Sequence, residues 1–363
     1  MTNYSTSNRD NNFNILRLFA SIFVLYNHSF ILAGLMSEEP LWKKYTSMVS
    51  FGNLGVDIFF ITSGFLLALS LLAKQELVQF FINRVLRIFP GLVVSLVVTV
   101  VTVGLFFTAL DFFDFIGSDQ TKHFLIYNSI LLKGIVYLLP EAFQGNPIES
   151  VNGSLWTLPH ELKAYIALFL TASASLVLRK YFANIFKALL VVICAYCYFR
   201  YARDYYVTGV ISEKYRLYFF FLFGACMGAF IKYIKLDMRW AIAFLALVIF
   251  CLSYKKFLFP VYTLLLPYII LTMAYIPSGK IRKFNIFGDY SYGMYIYGFF
   301  VQQCVVAVAI SITPHMLFLY SFFVTLIISV LSWHFIESPA LRLKGLIKKL
   351  KVKPSADDLI KSS

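Results

Sequence analysis

The chain has 363 residues, of which 60% are hydrophobic and only 14% charged, and its mean hydropathy is +0.76. That is too little charge to cover a soluble globule of this size, so composition excludes the soluble classes and predicts an all-α, multi-pass integral membrane protein. A net charge of +14 would point a soluble chain towards nucleic acid, but here Lys and Arg fall in short loops between apolar runs, where they set topology, and no nucleic-acid partner is expected.

The polar, Asn-rich start carries no cleavable signal, so the first apolar run, Asn14–Phe30, is expected to stay as a membrane anchor. Within it Arg17 and His28 are eleven residues apart, about three turns and ~16 Å of rise, so both project from one side together with Asn14 and Ser21. Ionisable groups at membrane depth usually face a protein interior or a water cavity, which makes this stripe a candidate site. Runs long enough to cross ~30 Å of hydrocarbon are read at ten places: 14–36, 50–73, 88–110, 156–178, 185–203, 215–234, 239–254, 257–276, 287–310 and 315–336.

Phe124–Leu139 competes as an eleventh. If it crossed, every later basic loop would move to the outside, against the positive-inside tendency. It is therefore expected to be a re-entrant or interfacial piece of a long outer loop, about 111–155, with both termini cytoplasmic. Residues 1–340 then form one membrane domain. Residues 341–363 form a basic cytoplasmic tail, with Leu and Ile spaced among Lys and Arg as in a helix lying on lipid. Of the five cysteines, Cys194 and Cys197 form a CxxC inside an apolar run, where they are expected to pack rather than react. No dense His/Cys/carboxylate cluster suggests a metal site.

Three further stretches place polar chemistry where apolar residues would be the default. Asn53–Phe65 puts Asp57 within the second span, where an acid needs a partner or a proton. Phe80–Gly91 puts Arg84 and Arg87 three apart on one helical face before Pro90, a pair able to clamp phosphate or simply to fix topology. Val151–Tyr165 carries Asn152, Ser154 and Trp156 from the outer loop into the fourth span, with His160 and Glu161 on different faces. With outer edges near residues 33, 51 and 155, His28, Asp57 and Glu161 each lie ~8–9 Å deep at ~1.5 Å per residue, which predicts one shared cavity. A His flanked by carboxylates is the arrangement of a general base.

Six stretches taken together, Asn14–Phe30, Gly55–Leu67, Asn83–Gly91, Asn152–Tyr165, Tyr290–Gln303 and Phe335–Arg342, resemble the membrane acyltransferase family 3, multi-span O-acyltransferases of bacterial surface polysaccharides. The resemblance implies a ten-span bundle in the bacterial inner membrane that moves an acyl group, acetyl by expectation, from acetyl-CoA to a sugar hydroxyl of a polysaccharide or lipid-linked glycan. His28, Arg17, Arg84, Arg87, Glu161, Glu337 and Pro339 match the family's motif positions. Combined with the depth reading of Asp57, the resemblance puts His28, Glu161 and Asp57 in catalysis, with Asp57 or Glu161 orienting His28, and Arg84 and Arg87 with Arg17 on the coenzyme, while Asn152, Ser154, Trp156 and Tyr295 are expected to bind the acceptor. Many members have a His where this chain has Gly298, which puts more of the proton transfer on His28. A transporter or flippase using a proton relay is the alternative from another class, although no internal repeat is visible.

Overall fold

The computed structural model describes residues 10–45, 49–309 and 311–351; residues 1–9 and 352–363, on which the readings of the polar start and of the end of the tail fell, lie outside them. In chain order the helices are α1 (Phe13–Leu32), α2 (Pro40–Tyr45), α3 (Phe51–Lys74), α4 (Leu77–Phe106), α5 (Phe112–Gly117), α6 (Asp119–Ile130) and α7 (Leu158–Leu176). They continue as α8 (Phe182–Thr208), α9 (Glu213–Phe230), α10 (Met238–Cys251), α11 (Lys255–Tyr275), α12 (Ser291–Val308), α13 (Pro314–Ser332) and α14 (Ser338–Lys351). No strand occurs among the described residues beyond an isolated bridge between Thr108 and Ala142. The protein is an all-α bundle.

Each of the ten expected spans coincides with a helix, and seven helical stretches are long and apolar enough to cross a membrane: Phe13–Leu32, Phe51–Lys74, Leu77–Phe106, Arg179–Thr208, Glu213–Tyr233, Lys256–Tyr275 and Pro314–Lys344. α10 is shorter, at 14 residues. α7, at 19 residues, and α12, at 18, have the length but are more polar, carrying His160, Glu161 and Lys163 in one and Gln302 and Gln303 in the other. The third span differs in its start. α4 runs unbroken from Leu77 with Pro90 inside it, so Arg84 and Arg87 stand on the body of the helix rather than in a loop ahead of it.

α3 and α9 make the closest seam. A Cβ on Gly64 would lie 1.9 Å from the Phe221 carbonyl oxygen, and one on Gly224 would lie 2.2 Å from that of Ile61. Only glycine admits such backbone approach, the device by which helices pack where no hydrophobic drive separates protein from lipid. Gly298, at the position read as a missing histidine, serves a similar crossing of α12 over α1, where a Cβ would meet Leu25 at 2.8 Å.

α6, with 12 residues, spans ~18 Å and cannot cross ~30 Å of hydrocarbon. The chain that enters the bundle lies further on, first as irregular backbone over 146–152 and then as a 3₁₀ turn, Gly153–Thr157, that leads into α7. Asn146 donates to the Gln303 Oε1 at 2.7 Å, Gln303 Nε2 donates to the carbonyls of Ile148 and Ser150 at 2.7 and 2.5 Å, and Asn152 Nδ2 donates to Ile296 O at 2.8 Å. From Gln303 to Tyr295 this path follows ~12 Å of α12. Side-chain amides satisfy the backbone that no helix serves, the condition under which non-helical chain is tolerated at depth.

Candidate active site

Two cavities meet inside the bundle. The first is narrow, about 30 Å³, and is lined by Arg17 of α1, Arg84 and Arg87 of α4, Glu161 and Tyr165 of α7, and Tyr292 of α12, among others. The second is wide, about 390 Å³, lies where α1 ends and α3 and α9 begin, and holds His28, Asn27, Asn53, Trp42, Trp156 and Glu213. Val56 and Tyr295 line both cavities, so the partition is a single layer of side chains.

The arginines of the narrow cavity are unequally paired. Arg87 Nη2 donates to Asp289 Oδ2 at 2.5 Å, its Nη1 lies 3.6 Å from Glu337 Oε2, and its guanidinium rests against the rings of Tyr292 and Trp333 at 5.7 Å each. Glu337 is brought there by a π-helical turn, Trp333–Glu337, which swings the end of α13 inward. Such turns often mark functional positions. Arg17 reaches Asp289 Oδ2 only at 3.5 Å and sits over Phe59. Arg84 has no ion pair among the described residues and stacks on Tyr165, whose hydroxyl is engaged by Glu161. The Nε groups of Arg17 and Arg84 are buried with no hydrogen-bond partner. A buried guanidinium nitrogen with no partner among the described residues is costly, and both groups are free to take an acceptor.

His28 is buried in the wall of the wide cavity, edge-on to Phe299 with ring centroids 5.0 Å apart. Phe299 can stand there because residue 153 is glycine; a Cβ on it would lie 2.6 Å from the Phe299 ring. No described residue makes a hydrogen bond or ion pair to the imidazole, so its nitrogens are open to the cavity. Tyr295, on the partition, donates to Ser154 O at 2.8 Å, so the Thr157 hydroxyl at 2.5 Å donates to it in turn. Trp42 is set in place from below by buried Glu39, which accepts from the Trp42 and Phe51 backbone N–H groups at 2.5 and 2.9 Å.

The three-residue cavity expected of His28, Asp57 and Glu161 does not assemble. Val56 faces the cavities, and at ~100° per residue the next side chain points away, towards α9 and α11. There Asp57 accepts from Arg216 Nη1 at 2.7 Å and from the Tyr262 hydroxyl at 2.8 Å, fully buried. Glu161 joins the arginines instead, because the irregular segment has already carried the chain into the bundle before α7 begins; the outer edge of the fourth span is not at 155. Of the residues expected to meet the acceptor, Trp156 and Tyr295 line the wide cavity. Asn152 is spent on Ile296 O and on the Ser154 N–H, and the Ser154 hydroxyl is buried without a partner. His160 faces elsewhere, towards Tyr218 at 3.4 Å. Arg216, Asp289 and Glu213 were missed. Arg216 had a signal, an arginine entering an apolar run with an unpaired Asp57 also in the membrane.

The description of the acyltransferase domain family matches residues 10–334. An O-acetyl transferase of Shigella phage Sf6 is 28% identical over 348 residues, covering 91% of this chain and 95% of that protein. Nodulation protein 10 of Rhizobium leguminosarum bv. viciae is 31% identical over 179 residues, covering 46% of this chain and 45% of its own. No solved structure matches. The family match runs from before α1 to the π-helical turn and takes in both cavities, and on it the chain belongs to the acyltransferase domain family and is a multi-pass membrane acyltransferase.

Proposed function

We propose that this protein is an O-acetyltransferase of the bacterial inner membrane, taking acetyl from acetyl-CoA and delivering it to a hydroxyl of a cell-surface polysaccharide such as lipopolysaccharide O-antigen or an exopolysaccharide. The observation that carries the reading is the pair of cavities sharing one wall, under-paired arginines on one side and an unbonded histidine on the other. The name of the phage relative supports O-acetyl transfer, and membership in an acyltransferase family favours it over a transporter or flippase.

In this reading Arg84 and Arg17 bind the coenzyme's phosphates by charge-assisted hydrogen bonds, their Nε groups taking oxygens that no described residue supplies, while Arg87, already held by Asp289 and Glu337, adds its charge to the site. That end lies at the start of α1 and of α4, the cytoplasmic side if the positive-inside pattern holds. The thioester must then reach His28, ~16 Å along α1 from Arg17. The narrow cavity has room for little more than a water, so the pantetheine arm would enter by moving the Val56 and Tyr295 partition. His28 takes the proton of the acceptor hydroxyl as its oxygen attacks the thioester carbonyl. The C–S bond breaks, and the leaving thiolate recovers the proton from the imidazolium. Phe299 holds the ring in the orientation this needs, and positioned general-base action of this kind is worth roughly 10²–10⁴-fold.

The test is acceptor-dependent release of coenzyme A from acetyl-CoA by the protein in lipid nanodiscs, with polysaccharide extracted from the source cell envelope. Release with acetylation of the glycan, absent in His28→Ala, is the expected result. Accumulation of glycan in liposomes without coenzyme A would return the protein to the transport class.

A further inference from the structure

The charge on the wall of the wide cavity limits what it can hold. Among the described residues that line it, Glu213 alone carries a fixed charge, the others being apolar, aromatic, amide or hydroxyl side chains and His28. Glu213 opens α9, and its Oε2 is held by Arg216 through Nε at 2.9 Å and through Nη2. No described residue donates to Oε1, and the side chain is 43% exposed, so that oxygen is open to the cavity. The Arg216 charge is already spent. Its Nη1 donates to Asp57 at 2.7 Å and to the Asn53 carbonyl at 3.2 Å, and its Nη2 reaches Asn53 Oδ1 at 3.3 Å. The guanidinium therefore fixes Glu213 and Asn53 without offering anything to an anion.

We propose that this cavity takes a neutral saccharide and that Glu213 binds it, accepting sugar hydroxyls through Oε1 while Trp42 and Trp156 meet the apolar ring faces. This deepens the acetyltransferase reading and rests on it. An ionised carboxylate is an acceptor only and suits a ligand made of O–H donors. A uronate or another acidic sugar would set like charges against each other with no cation in the wall to offset them. The aromatic rings supply area that needs no charge.

The experiment divides the envelope polysaccharide on an anion exchanger into neutral and acidic pools and offers each with acetyl-CoA to the full-length protein in nanodiscs. Acetylation of the neutral pool is expected. Glu213→Gln is expected to raise the KM for that pool roughly tenfold, the loss of about one charge-assisted hydrogen bond, with the KM for acetyl-CoA unchanged and partial recovery in Glu213→Asp. Preference for the acidic pool overturns the proposal, as does an unaltered acceptor KM in Glu213→Gln. Should the native protein acetylate neither pool, it is the acetyltransferase reading that fails, before any role for Glu213 is reached.

Discussion

Arg216 and Arg84 both stand on helices of membrane length, yet their surroundings are finished in opposite ways. Arg216 is buried and uses Nε, Nη1 and Nη2 on Glu213, Asp57 and Asn53, whereas Arg84 makes no ion pair among the described residues and leaves a buried Nε without a partner there. A guanidinium taken out of water must be compensated. The first is compensated within the protein and ties α9 to α3; the second keeps a buried Nε that no described residue compensates. The same contrast separates Asp57, paired on both oxygens, from His28, which meets the edge of Phe299 and has no hydrogen bond or ion pair to a described residue.

The largest effect that would sharpen this contrast is at His28. His28→Ala should lower acceptor-dependent coenzyme A release by roughly 10²–10⁴-fold with the thermal midpoint unchanged; near-native turnover in the variant would remove His28 from the chemistry. Arg216→Met should do the reverse, leaving Asp57 buried and unpaired at a cost of about 3–5 kcal/mol. Thermal unfolding in detergent reads it, and an added Asp57→Leu should recover much of the loss. Arg84→Gln removes a charge that no described carboxylate pairs, so stability should hold while coenzyme A binds roughly ten- to a hundredfold more weakly, the worth of a charged hydrogen bond. The smallest effect is expected of Gly64→Ala, where the new Cβ would meet the Phe221 carbonyl and force α3 from α9 at about 1–3 kcal/mol. No change in midpoint there would mean the seam yields more freely than its spacing implies.

Much of this was legible in the chain. The apolar runs and their breaks located the helices, the His28 and Arg17 stripe lay on one side of the first of them, and the positive-inside count kept Phe124–Leu139 from being read as a span. What escaped was rotation and depth. Asp57 and Val56 are adjacent in sequence, and which of them faces the cavity depends on how α3 sits against α9, a matter decided by Gly64, Gly224 and Gly228. Counting ~1.5 Å per residue places Glu161 too near the surface because it assumes an α-helix from the outer edge, while residues 146–152 descend as irregular backbone pinned by Asn146, Gln303 and Asn152 and Gly153–Thr157 follow as a 3₁₀ turn. In sequence Glu213 is only an acid just ahead of the apolar run at 215–234, and the fold shows that Arg216 holds one of its oxygens and leaves the other open.

The claim at the centre is that under-paired arginines hold the donor while the paired one holds the fold. Calorimetric titration of coenzyme A into the nanodisc protein, beside Arg84→Gln and Glu213→Gln, tests it most directly. Binding to the native protein, weakened at least about tenfold in Arg84→Gln and unaltered in Glu213→Gln, is the predicted result. Equal affinity in the native protein and Arg84→Gln would contradict it and leave Arg84 as a charge that only orients the chain in the membrane.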